Sequence, residues 1–143
     1  MTTSESMKDP NCRYCTCADD ISVKVADLET SVLLLVRDQK YKGRCILALK
    51  DHKTEVFRMG PDELAAWARD LSRASKALWE TFSPDKINYA AFGDLYPHLH
   101  IHLVPKYRDG PEWGGPFLLD LSKDNLMSPE ELEKRAEQIR KNI

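Results

Sequence analysis

The alternation of apolar and polar residues is sharpest in YPHLHIHLVPKY, where histidines occupy positions 98, 100 and 102 and Leu99, Ile101 and Leu103 fall beside them. Successive side chains of an extended chain point to opposite faces, so the three imidazoles share one face and the aliphatic residues the other. A strand is predicted that buries its leucine side in a core and presents imidazoles to a cleft. Pro97 suits its first position, where a missing N–H costs least. Upstream, residues 32–36 and 44–49 are apolar runs around a polar turn carrying Gly43, which predicts a hairpin of buried strands. DKINYAAFG predicts a further strand, paired with the histidine strand. In GPDELAAWARDLSRASKALWETF the apolar residues Leu64, Trp67, Ala68, Leu71, Leu78 and Phe82 recur at helical spacing, with Pro61 near the start and acids in the first turn. RDGPEWGGPFLLDLSKDN, rich in Gly, Pro and Asp, is predicted to be a loop bordering the histidine cleft. SPEELEKRAEQIRKNI opens with a capping box from Ser128 to Glu131, and its charged composition predicts an exposed terminal helix.

Length and composition narrow the class. A chain of 143 residues accommodates one domain with a real core, expected over residues 12–143 behind a flexible polar leader over 1–11. With 21 basic and 23 acidic residues the net charge is −2, which argues against a nucleic-acid binder but leaves room for a small anionic ligand. No apolar run reaches membrane-spanning length and MTTSESMKDP lacks the apolar core of a secretory signal, so no membrane partner and a cytoplasmic location are expected. In that compartment the four cysteines read as thiols or metal ligands rather than disulfides.

Three polar rings on one face would need three sets of partners if they were merely structural. Same-face neighbours on a strand are about 6.8 Å apart, close enough for two imidazoles to share an ion, whereas the outer two are about 13 Å apart. All three cannot comfortably bind one metal, and a division of labour follows. Cys12 and Cys15 form a CxxC pair, and His52, at the end of the second strand, is the fourth histidine. With His98 they could complete a tetrahedral Cys2His2 set of the structural zinc type, leaving His100 and His102 for chemistry. Two other readings stay open: Cys12, Cys15 and Cys17 as ordinary reduced thiols, and a metalloenzyme centre at His100 and His102. Cys45 reads as a small core residue. Arg37, Lys40, Lys42 and Arg44 read as a solvated hairpin tip in preference to a phosphate site, and Trp67 and Trp79 as core or dimer packing.

HLHIHLV at 98–104 fits, position by position, the His, apolar, His, apolar, His, apolar, apolar signature of the histidine triad family of nucleotide hydrolases and transferases, which the chain resembles over most of its length. The resemblance implies an α+β fold: a mainly antiparallel sheet of about five strands, one long helix and a C-terminal helix. It implies that His100 is the nucleophile toward an α-phosphorus, that His102 lies beside the phosphate, and that Asn88 reaches the same region. Cys12, Cys15, His52 and His98 match the zinc set of the zinc-binding bacterial members, and no magnesium requirement is implied. A homodimer and a purine nucleotide substrate, adenosine-based, are implied as well. Asp38 matches the acid that holds the ribose hydroxyls, with a solvated turn acid as the alternative reading. The chain departs from the family where Asp94 and Leu95 in FGDLY replace a Gln-Ser/Thr pair, where Arg44 replaces a histidine near the nucleoside, and where Leu49 replaces proline. These departures keep a second function in view, a zinc-stabilised nucleotide-binding or scaffolding protein with little turnover.

Overall fold

The computed structural model describes residues 8–17, 21–120 and 123–143. Most of the expected leader, residues 1–7, lies outside the described residues. A one-turn helix α1 (Arg13–Thr16) precedes strands β1 (Ser22–Asp27), β2 (Ser31–Val36) and β3 (Cys45–Leu49). The long helix α2 (Pro61–Phe82) follows, then β4 (Lys86–Ala90), β5 (His100–Lys106) and α3 (Pro129–Arg140). The strands form one antiparallel sheet in the order β1-β2-β3-β5-β4. The architecture is α+β, with β4 at one edge.

Burial on both faces explains why β2 and β3 are nearly continuous apolar runs. On one face Leu33, Leu35, Leu47, Ile101 and Leu103 pack against Ala74, Ala77, Leu78 and Phe82 of α2 and against α3. Leu103 is fully buried there, and truncating such a residue to alanine costs about 2–5 kcal/mol. The opposite face carries Leu34, Val36, Ile46 and Ala48, covered in part by Tyr14 of α1. His100 and His102 of β5 lie on that second face, because His100 pairs with Ala48 and His102 with Ile46.

Helix α2 starts at Pro61 as its sequence predicts, and Ser83, in the left-handed region at φ 47°, ends it before Pro84. The hairpin turn requires a glycine at 43: φ is +91°, and a Cβ there would lie 2.7 Å from the Phe82 ring. Four outcomes differ from the sequence reading. β1 is a full edge strand within a stretch whose charges and short alternation gave little strand signal. β5 begins at His100, so His98 precedes the strand and turns away from its two neighbours. Helix α3 is not simply exposed: Leu132, Ala136 and Ile139 recur on one face and are buried in the core, a narrow stripe masked by the charged remainder. Arg44 is only 2% exposed rather than part of a solvated tip, because the loop after β5 folds over it. Of the two tryptophans, Trp67 packs against the core while Trp79 is half exposed.

Candidate functional site

Two clusters meet at the N-terminal end of β5. The first gathers Cys12, Cys15, His52 and His98, whose ligand atoms all lie within 4.8 Å of one another. Cys12 Sγ is 3.4 Å from His98 Nδ1, Cys15 Sγ is 3.2 Å from His52 Nδ1 and 3.5 Å from His98 Nδ1, and the two Nδ1 atoms are 3.2 Å apart. A tetrahedron with metal–sulfur distances near 2.3 Å and metal–nitrogen distances near 2.0–2.1 Å has edges of roughly 3.3–3.8 Å, so the donors already stand at about that spacing. The far nitrogen of His98, Nε2, donates to the Leu49 carbonyl at 2.6 Å, which leaves the Nδ1 lone pair for a metal. His98 is 1% exposed, and burial pushes its pKa below the ordinary histidine value. The residues fit a four-coordinate metal and make a possible metal site. The same contacts show how the chain is arranged: Cys12, capping α1, and Cys15 within it present two thiols to His52, just after β3, and His98, just before β5.

The second cluster is the cleft on the open sheet face, about 520 Å³ in volume, bounded by Tyr14, Ile46, Arg44, Tyr96, His100 and His102. His100 Nδ1 lies 2.6 Å from the His98 carbonyl, a distance that only the Nδ1–H tautomer satisfies well. Its Nε2 therefore carries the free lone pair. Burial holds His100 below its ordinary pKa, with Arg13 adding to the effect, so the ring is neutral at pH 7. His102 is pushed down to about 4, first by burial and then by the neighbouring His100 and Arg44. Its Nδ1 is buried without a hydrogen-bond partner, while the residue itself lines the cleft.

The Gly/Pro-rich loop after β5 borders the cleft as its composition predicts. Three buried groups fasten it. Lys106, 3% exposed, donates through Nζ to the carbonyls of Glu112 and Gly115 at 2.8 Å each. Tyr41 donates to the Glu112 carboxylate and accepts from the Leu118 amide. Arg44 donates to the carbonyls of Leu118 at 3.3 Å and Leu119 at 3.1 Å. The loop in turn sets Phe117 5.7 Å from His102.

The structure brings together five of the residues named from sequence as metal or nucleophile positions, Cys12, Cys15, His52, His98 and His100, and places His102 beside them. Asn88 shares their sheet face, but Lys106 Nζ is 3.3 Å from its Oδ1, and it faces a recess with Ala90, Phe92 and Phe117 rather than the histidine cleft. Asp38 is 2% exposed, accepts from the Lys40 amide, forms a backbone bridge with Leu126, and is not part of the cleft wall. Asp94 and Leu95 do line the cleft, both exposed. Sequence reasoning missed Tyr14 and Lys106. The signal for Tyr14 was its place between two candidate ligand cysteines; that for Lys106 was its position on the histidine face of β5, four residues beyond His102.

Comparison with known proteins fits this geometry. The sequence profile of the HIT domain matches residues 19–109. "Protein hit" of Bacillus subtilis is 27% identical over 141 residues, covering 93% of this chain and 94% of that protein. A solved histidine triad protein from Bradyrhizobium japonicum superimposes with a TM-score of 0.77 at 25% identity, covering 86% of this chain and 91% of its own. A Zn-bound histidine triad family protein from Mycobacterium smegmatis shares the fold, with a TM-score of 0.65 at 21% identity and 92% coverage of each chain. The profile spans well over half of the sequence and includes the whole HLHIH segment, two of whose histidines line the cleft, so the chain belongs to the HIT domain, or histidine triad, family.

Proposed function

We propose that the protein is a nucleotidyl hydrolase or transferase that cleaves at the α-phosphate of a nucleoside phosphate ester, anhydride or phosphoramidate through a nucleotidyl-histidine on His100. Family membership supports nucleotide-binding hydrolase or transferase chemistry in general. The observation that carries the finer reading is the 2.6 Å contact between His100 Nδ1 and the His98 carbonyl, which fixes the tautomer and frees Nε2 as a nucleophile with no separate base. His102 supplies the polar atom for the phosphoryl oxygens, and the apolar walls of Tyr14, Ile21, Val36 and Ile46 suit a base and sugar, for which we propose adenosine. Asn88 joins the phosphate contacts if its amide nitrogen, the end not engaged by Lys106, turns to the cleft. Asp38, buried and not part of the cleft wall, is proposed for the ribose on the family match alone.

Zinc is the proposed occupant of the Cys12, Cys15, His52 and His98 site, in a structural role. The mixed sulfur and nitrogen donor set and the Zn-bound relative support it. No step of the reaction runs through the metal. Thiols gathered for metal rather than for disulfides suit a reducing, cytoplasmic setting. A homodimer is proposed across the free edge of β4 and helix α2, whose Tyr89 and Trp79 respectively are about half exposed. A second reading, a nucleotide-binding or scaffolding protein with little turnover, is favoured by one observation: Asp94 puts a carboxylate on the cleft rim, where it opposes a phosphate.

The test is release of AMP from diadenosine tetraphosphate and from an adenosine phosphoramidate by wild type and by His100→Ala. Release that disappears in the variant supports the enzyme. Tight AMP binding without release by wild type supports the binding protein instead.

A further inference from the structure

We propose that Tyr14 is the electrostatic partner of the nucleophile, its aromatic face stabilising the positive charge that His100 acquires on taking up a nucleotidyl group. The inference rests on the reading of His100 as nucleophile and adds a residue that acts through it. In the first half-reaction the Nε2 lone pair forms a bond to the α-phosphorus as the bond to the leaving-group oxygen breaks, and that oxygen departs with its electron pair as a polyphosphate anion. The Nδ1 proton stays on the ring, donated to the His98 carbonyl. The imidazole therefore carries one full positive charge, shared between its nitrogens, until water attacks phosphorus. The N–P pair then returns to Nε2, the water proton passes to solvent, and the monophosphate leaves.

That charge appears in a cleft wall where His100 is 4% exposed. Among the described residues the hydrogen-bond partner of His100 is a backbone carbonyl rather than a carboxylate; Arg13 and Arg44 line the same cleft, and its two carboxylates, Asp94 and Asp120, are exposed to solvent. The group arranged to meet the charge is Tyr14. Its ring stacks on His100 with centroids 4.3 Å apart and planes inclined by 27°, so the negative π face covers the imidazole. His102, by contrast, meets His100 at 5.3 Å and 67°. Tyr14 is 7% exposed, so the interaction is largely desolvated.

The ring is also held by its neighbours. Cys12 and Cys15, two metal-site thiols, flank it along α1. Tyr96 abuts it edge-on at 6.4 Å and 86°, and the guanidinium of Arg13 sits 4.2 Å from the centre of the Tyr96 ring. An aromatic ring serving only as wall filling would need neither near-parallel alignment with one imidazole nor this bracing.

The experiment replaces Tyr14→Phe in the full-length, metal-loaded protein and then installs 4-fluoro-, 3,5-difluoro- and 3,4,5-trifluorophenylalanine at the same position. These side chains keep nearly the same shape while draining the π face. Rapid quench with diadenosine tetraphosphate reads the rate of nucleotidyl-His100 formation; AMP affinity and metal content are measured alongside. Cation–π magnitudes predict a stepwise fall of about 3- to 30-fold across the series, larger than any accompanying change in AMP affinity, with metal content unchanged. A rate that ignores fluorination while the adduct still forms overturns the role of Tyr14 and leaves the nucleophile standing. Failure of wild type to form any adduct removes the nucleophile, and the role of Tyr14 with it.

Discussion

Removing the metal should weaken the protein without unfolding it, and the structure sets the size of the effect. The four donors tie α1 to the ends of β3 and β5, but the main core of Leu33, Leu35, Leu47, Leu78 and Leu103 forms a separate cluster against α2 and α3. Folding is therefore expected to persist in the apo protein, unlike a zinc finger, whose donors are its core. A ligand that binds only the folded state contributes RT ln(1 + [L]/Kd), about 2.7 kcal/mol at a hundredfold excess over Kd and about 4.1 kcal/mol at a thousandfold. For a domain of this size 1 kcal/mol corresponds to roughly 3–4 °C in Tm, so chelation should lower Tm by roughly 8–16 °C. Cys15→Ser should reproduce that loss and abolish the response to chelator, because Cys15 Sγ lies against both His52 and His98. Differential scanning calorimetry on protein of measured metal content, with and without chelator, makes the comparison. Equal Tm values for loaded and stripped wild type, or full metal content in Cys15→Ser, would refute the assignment of these four residues.

Three other outcomes follow from single contacts. Lys106→Met removes the Nζ that holds Asn88, Glu112 and Gly115; a stability loss of about 1–3 kcal/mol is expected in urea melts, with KM rising more than kcat falls because Phe117 loses its seat over His102, and unchanged values would contradict the anchoring role. His102 titrates near 4 in the fold against about 6.5 in an unfolded chain, so the unfolded state takes up the extra proton between those values. The contribution is fully present above pH 6.5 and is lost as pH falls toward 4, on the order of 2–3 kcal/mol; His102→Asn should flatten that slope in melts across pH 8 to 4, and an unaltered slope would count against it. Replacing Asp94→Gln and Leu95→Ser together removes a carboxylate from the cleft and supplies donors, and should raise AMP release about tenfold or more; a fall would show that the native pair serves the leaving group.

The parts of the fold legible in sequence are those where one periodicity dominates. The hairpin of β2 and β3, helix α2 and the two-sided β5 each bury a face whose pattern can be read directly. The grouping of Cys12, Cys15, His52 and His98 into a possible metal site was legible because CxxC spacing and histidines carry ligand chemistry wherever they lie. What escaped depends on contacts distant in sequence. Arg44 looks like a turn cation until residues 118 and 119 are seen to cover it, and Lys106 looks like a strand terminus until three oxygens converge on its ammonium. The buried stripe of α3 is hidden because two of every three of its residues are polar. Tyr14 gains meaning only when α1 folds across the sheet and brings its ring onto His100.

The central claim, a covalent nucleotidyl-histidine on His100, is tested most directly by the stereochemistry at phosphorus. A substrate with a chiral α-phosphorothioate, hydrolysed in isotopically labelled water, reports whether displacement occurs once or twice. Two in-line displacements, first by His100 and then by water, predict net retention of configuration. Net inversion would mean that water attacks directly, and His100 would then lose its role as nucleophile.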